Sequence, residues 1–189
     1  MQKPTKIILG SQSPRRLEIL SDAGFDIEVV KPKVAESFPY DMDYYKVPEY
    51  LSKLKMFDVY SYLGEDEHFI VCADTVVIFE KKLIGKPKNA EQAFKILKAM
   101  NGKAHDVVTG VSIRKKLKQI SFSEHAKVFF KELSDDEIRG YISEFQPFDK
   151  AGSYNVQEYI GVEKVIGEFF NVMGLPLKRL QQEIKGCFR

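Results

Sequence analysis

The chain has 189 residues, enough for one domain with a sizeable core. Its hydrophobic share of 44% and charged share of 30% are ordinary for a soluble globular protein, and 29 basic residues against 27 acidic ones leave a net charge of only +2. That balance excludes a general nucleic-acid binder, no apolar run approaches membrane length, and any basic site has to be local.

Residues 1–6 contain Pro4 and charges but no apolar stretch that could serve as a secretory signal, so a cytoplasmic protein is expected. Cys72 and Cys187 form no CxxC pair, and Cys72 sits inside an apolar run as a small core residue. His68, His105 and His125 have no metal-ligand spacing.

The first well-patterned stretch is Ile7-Ile8-Leu9-Gly10-Ser11-Gln12-Ser13-Pro14-Arg15-Arg16-Leu17-Glu18-Ile19-Leu20. It reads as a short buried strand, a tight polar turn and a helix with Ser13 as N-cap and Pro14 at the first helical position. Arg15 and Arg16 then fall in the first helical turn, the wrong end for cations in the helix dipole. Something anionic would complete this site: free N–H groups, a hydroxyl loop and two guanidinium forks suit a phosphate chain. The competing reading is a plain βα unit whose arginines are solvated or paired with Glu18. The spacing leaves both open.

Ala23-Gly24 ends that helix, and residues 26–30 alternate as a second strand before Pro32. Residues 33–46 form a loop with Glu36, Asp41 and Asp43. Pro48 opens a helix to about Leu63, with Leu51, Leu54 and Phe57 expected on its inner face and Lys53 and Lys55 read as solvated. Residues 69–79 form an almost continuous apolar strand, of the kind buried on both faces, with Asp74 in its middle. Asp is a poor strand former and costly to bury unpaired, so Asp74 requires a cation, a metal or a ring of donors. A bulge with backbone donors is the alternative.

A turn at Glu80-Lys81-Lys82 and a return at Leu83-Ile84 follow, then Gly85-Lys86-Pro87 and a helix with an Asn89/Gln92 capping box. Residues 106–113 and 120–130 read as an antiparallel pair added to a mixed sheet. A second capping box, Ser134 with Glu137, opens a helix that places Ile138, Tyr141, Ile142 and Phe145 inside. Residues 149–157 are a turn-rich loop, either site-lining or a solvated connector. Residues 162–166 are a strand, and residues 169–174 lead into a last helix starting near Pro176.

Four segments together resemble the Maf family of nucleoside-triphosphate pyrophosphatases. They are Leu9-Gly10-Ser11-Gln12-Ser13-Pro14-Arg15-Arg16; Ala73-Asp74-Thr75-Val76-Val77 with Gly85-Lys86-Pro87; residues 102–110 (GKAHDVVTG); and residues 149–157 (DKAGSYNVQ). Val172-Met173-Gly174-Leu175-Pro176 also fits, so the motifs span nearly the whole chain in the family's order. The resemblance implies a single Maf-like domain over residues 1–189. Its fold would be an elongated α/β architecture like that of inosine triphosphatases, with a twisted mixed central sheet flanked by helices and a cleft between two lobes. It further implies hydrolysis of a nucleotide to its monophosphate and pyrophosphate, assisted by a divalent cation, Mg²⁺ or Mn²⁺. The Arg15-Arg16 pair matches members that prefer dTTP and UTP. Family precedent also includes an effect on septum formation, and homodimers.

Carried over by position, the resemblance makes Asp74 the proton acceptor and places Ser11 and Arg16 in the phosphate loop. Glu36, Lys55 and Lys86 complete a charged cleft, and in the mechanism expected here Glu36 and Asp74 would position the divalent ion. Arg15, Thr75 and Gln157 match positions of substrate choice, where Thr75 and Gln157 would read the base edge by hydrogen bonds. Two positions depart from the family pattern: Asn155 and Glu158 stand where glycine is usual. Asn tolerates a left-handed backbone, whereas a carboxylate beside Gln157 bears on base choice. Two other classes compete with the enzyme: a non-catalytic nucleotide-binding regulator of division, and a phosphatase that would release orthophosphate.

Overall fold

The apolar strands pair into one mixed sheet, and a computed structural model describes it over residues 5–64 and 66–187. The stretch read for a signal falls largely outside that range, as does the Cys187 side chain. The strands are β1 (Lys6–Gly10), β2 (Asp26–Val29), β3 (Phe69–Phe79), β4 (Lys82–Ile84), β5 (Ala104–Lys115), β6 (Lys118–Phe130) and β7 (Val162–Ile166). The helices are α1 (Pro14–Asp22), α2 (Val47–Leu63), α3 (Ala90–Met100), α4 (Asp135–Phe145), α5 (Phe169–Met173) and α6 (Leu177–Cys187). Sheet order is β2-β1-β3-β5-β6-β7, with β4 also on β3. The β2-β1-β3 part is parallel and the rest antiparallel, so the expected mixed α/β sheet flanked by helices is what forms.

Strand alternation assigns the two faces. Ile7 and Leu9 point to one side with Ile19, Leu20, Val71 and Ala73, whereas Ile8 points to the other with Met56, Val59, Ile70 and Cys72. Helix α1 therefore covers the first face and α2 the second. On one edge β3 pairs with β5 without a break from Ile70 to Ile78. On the other edge β1 leaves it at the Gly10–Cys72 pair and β4 joins it only at Val77–Ile84. Residues 73–76 thus lie in a gap between β1 and β4.

Three local expectations change. Helix α2 buries Leu51, Ser52, Lys55, Met56 and Val59, whereas Phe57 is 75% exposed. Its inner face is rotated from the one an apolar count selects, because it includes a serine and a lysine with partners on the sheet. The segment 169–173, expected only as a lead-in, is a short helix of its own, α5. Phe145 is more exposed than its periodicity predicts and stacks on Tyr141.

Gly110 explains how close α2 can come. A Cβ there would collide with the backbone of Pro48 and Glu49 at the start of the helix. Beside it, Ser52 Oγ of α2 meets Ser112 Oγ of β5 at 2.9 Å, and Ser112 meets Ser121 of β6 at the same distance. Small residues and a hydroxyl chain replace a thick apolar layer here. Gly110→Ala forces α2 outward, and overpacking of this kind costs about 1–3 kcal/mol. The expected result is a lowered urea midpoint at unchanged m-value, together with reduced activity because Lys55 moves with the helix.

Candidate active site

The gap beside residues 73–76 opens into a cleft of about 680 Å³. Its walls come from the β1–α1 turn, the 32–38 loop, α2, β3, the 83–86 turn, residues 149–156 and the segment 172–174. Because no strand flanks residues 73–76 on this edge of β3, side chains from both of its faces reach the same opening.

Asp74 points toward α2, where Lys55 donates to its Oδ1 at 2.6 Å. The same ammonium lies 2.7 Å from Glu36 Oε1. Lys55 and Asp74 are buried, while Glu36 closes the group from the solvent side with its side chain 61% exposed. Burial pushes the Asp74 carboxyl above the ordinary aspartate value of 3.8, against the pull of Lys55 and Arg16. Burial also opposes charge on Glu36, but its bond to Lys55 and the nearby Lys86 and Arg16 hold it below the usual range. The two acids are therefore shifted in opposite directions, Asp74 up and Glu36 down.

Thr75 points to the other face and meets α1. Arg16 is buried and donates through Nε to the Gly174 carbonyl at 2.8 Å, through Nη1 to Ser11 Oγ at 2.9 Å and through Nη2 to Thr75 Oγ1 at 3.0 Å. Burial lowers its pKa, against the pull of the nearby Asp74 carboxylate. Gly174 ends α5 at φ 115°, a left-handed conformation suited to glycine, which turns its carbonyl to the guanidinium. Ser13 occupies the N-cap position of α1, but its side chain makes no capping bond, and its own N–H donates to Ser11 Oγ. The first turn of α1 thus faces the cleft without a side-chain cap, as an anion site would require.

The rim is basic as well. Lys86 is exposed on the 83–86 turn and lines the cleft. Arg15 lies 3.6 Å from Asp149, which also holds Lys150 at 2.8 Å. Of the positions expected to carry substrate choice, Arg15 and Thr75 line the cleft, but Gln157 does not. It is exposed, with its backbone N–H on Asn155 Oδ1 at 3.2 Å, and it is Asn155 and Val156 that reach the wall. Thr75 is likewise committed: its hydroxyl contacts Arg16, Thr109 and, at 3.4 Å, the Gly174 carbonyl. It orients an arginine rather than presenting a free hydroxyl to a base.

Sequence reasoning missed Thr109, Asn171 and Gly174 around Arg16 and Asp149 beside Arg15. Thr109, Gly174 and Asp149 lie in stretches matched to the family and Asn171 directly before one, but none has a pattern of its own that announces a role. His105 is buried, its Nε2 is 2.7 Å from Tyr154 OH, and burial lowers its pKa to about 4, so it packs as a neutral ring edge-on to Phe130 and Tyr154.

Among the described residues no group of three or more His, Cys, Asp or Glu converges as a ready-made metal cage. Glu36 and Asp74, however, both aim a carboxylate oxygen at one cationic point, now the Lys55 ammonium. Two hard oxygen donors beside a phosphate site fit a divalent cation that takes its remaining ligands from substrate and water.

The acid pair is directly testable. In ¹³C NMR the Asp74 carboxyl should titrate above 3.8, and Lys55→Met should move it further up, since that ammonium opposes the upward push of burial. A midpoint at or below 3.8 in the unsubstituted chain would refute this electrostatic reading.

Comparison with known proteins identifies the family. The model of the family described as Maf-like protein matches residues 6–187. A protein of Porphyromonas gingivalis named dTTP/UTP pyrophosphatase is 44% identical over 191 residues, covering 97% of this chain and 94% of that protein. One of the same name from Bacteroides thetaiotaomicron is 43% identical over 184 residues, covering 95% of each. Among solved structures, the Ham1 protein of Staphylococcus aureus aligns with a TM-score of 0.53 over 96% of this chain and 99% of that one. At 13% identity the likeness is one of fold alone. With the family model spanning all but the ends and relatives above 40% identity over nearly the full length, the chain belongs to the Maf-like protein family.

Proposed function

We propose that this chain hydrolyses dTTP and UTP to the monophosphate and pyrophosphate, a cytoplasmic activity that clears or balances the nucleotide pool. The observation that carries the reading is convergence: a buried arginine, an uncapped helix start and a lysine-bridged acid pair share one cleft. The names of its close relatives point the same way. No described helix is long and apolar enough to cross a membrane.

Cleavage at the α-phosphorus places charge on the departing pyrophosphate, so the site must supply cations there and a positioned water. In this reading Arg16, Lys55 and Lys86 bind the phosphates, helped by N–H groups near Ser11. Asp74 takes the proton of the attacking water, a task suited to a carboxylate made more basic by burial. Glu36 and Asp74 would hold a divalent cation, Mg²⁺ or Mn²⁺, which supplies charge neutralisation on the phosphates when bound. With those two carboxylates so engaged, the Lys55 ammonium between them would be available to the phosphate chain. Arg15 and the 155–157 turn form the side of the cleft assigned to base choice, with Gln157 reaching it only by a movement of that turn.

Asp74→Asn keeps shape and volume but removes the base. Turnover should fall by at least about 10² while the fold and nucleotide binding persist; a near-wild-type rate removes Asp74 from the chemistry. Incubation with a panel of nucleoside triphosphates and Mg²⁺ or Mn²⁺ should yield pyrophosphate and monophosphate. Orthophosphate would instead identify a phosphatase, and binding without any product would identify a regulator. In the same panel kcat/KM for UTP and dTTP should exceed that for ATP and GTP, and equal values would overturn the assigned base preference.

A further inference from the structure

We infer that Thr109, which does not line the cleft, is a positioning residue that fixes Arg16 for phosphate through a directed hydrogen-bond relay; the inference rests on the reading that Arg16 binds the substrate's phosphates. Thr109 on β5 is the direct cross-strand partner of Thr75 on β3, and it is fully buried. Its Oγ1 lies 2.9 Å from Thr75 Oγ1 and donates to the Asn171 carbonyl at 2.9 Å.

Proton counting sets the direction of the chain. A hydroxyl has one proton. The proton on Thr109 goes to the Asn171 carbonyl, so Thr109 can only accept from Thr75. The Thr75 proton is thereby committed, since its other acceptor, the Gly174 carbonyl, is more distant at 3.4 Å. What Thr75 offers Arg16 Nη2 at 3.0 Å is then a lone pair. Donation runs from guanidinium to Thr75 to Thr109 to carbonyl with the O–H dipoles in one direction, the arrangement in which each bond strengthens the next.

The far end of the relay is anchored too. Asn171 is fully buried and its Nδ2 donates to the Val107 carbonyl of β5 at 3.1 Å, so the acceptor that closes the chain is tied to the strand that carries Thr109. Arg16 has five N–H donors, of which Gly174, Ser11 and Thr75 each take one. One N–H on each terminal nitrogen remains for a ligand, the pair that suits a bidentate phosphate contact. Without Thr109 the Thr75 hydroxyl is free to turn, and the Nη2 side of the fork loses its fixed acceptor.

The test compares Thr109→Val, which keeps shape and removes the hydroxyl, with Thr109→Ser, which keeps the hydroxyl. The valine variant should lose roughly tenfold in kcat/KM for UTP, the scale of one buried hydrogen bond, and bind inorganic pyrophosphate more weakly in calorimetry. The serine variant should stay within about threefold of the parent. In a Thr75→Val background, where the relay is already cut, adding Thr109→Val should cost little more. Equal losses in the valine and serine variants, or full additivity with Thr75→Val, would overturn the relay in favour of simple packing. Should the valine chain not fold, Thr109→Ala replaces it in the same comparison. If the parent releases no pyrophosphate from any triphosphate, the proposed activity fails, while the calorimetric arm still decides whether Thr109 orders Arg16.

Discussion

The structure depends most on one ammonium group. Lys55 is buried, which is tolerable only because it is paired with Asp74 and Glu36 at 2.6 and 2.7 Å. The pairing works in both directions. Without Lys55, Asp74 would be an unpaired carboxylate inside an otherwise apolar strand, and without the acids Lys55 would have no reason to face inward. Removing the lysine leaves an uncompensated buried carboxylate, whereas with either acid gone Lys55 keeps the other as partner, and the three residues together tie α2, β3 and the 32–38 loop. Gly110 and the Ser52–Ser112 contact bring the helix backbone close enough for this lysine to reach β3.

The second constraint is the period of two along β3. Asp74 and Thr75 are adjacent and so must point to opposite faces of the sheet. In a fully covered strand they would serve separate environments, one under α2 and one under α1. The gap between β1 and β4 lets both environments open into one cleft. An acid–lysine unit and an arginine–hydroxyl unit, built on different helices, thus flank the same space. This is the parallel-sheet rule that ligands gather beyond the carboxyl ends of strands, with β1 ending where the cleft begins.

Much of this was legible in the sequence, and particular residues show why. Asp74 stood out because a carboxylate in an apolar run contradicts both propensity and burial. Arg15 and Arg16 stood out because they oppose a helix dipole. Lys55 did not, since a lysine on an amphipathic helix is normally solvated, and only the family resemblance raised it. The apolar count even chose the wrong inner face for α2, because polar residues with partners on the sheet displaced Phe57 to solvent. Thr109 and Asn171 were illegible for a different reason: their roles depend on cross-strand register and on a backbone carbonyl, which residue type does not encode. Gln157 shows the limit of transferring positions, because the motif places it in the right loop whereas the backbone turns it outward.

The near-neutral charge of the chain makes the cleft more informative. Five basic side chains line it, Arg15, Arg16, Lys55, Lys86 and Lys150, against three acidic ones, Glu36, Asp74 and Asp149. The acids are each within ion-pair reach of a lining lysine or arginine, whereas Arg16 and Lys86 form no ion pair among the described residues. The uncompensated cations therefore sit on α1 and the 83–86 turn, which approach the cleft from separate parts of the fold. A nucleic acid calls for basic charge spread along a surface. Here it is concentrated in one recess of about 680 Å³, which is within the range of a small-molecule pocket. Enclosure also excludes part of the water that would screen each contact, so a few charges act strongly on a ligand that can enter. A compact polyphosphate meets these conditions, and a long polyanion does not.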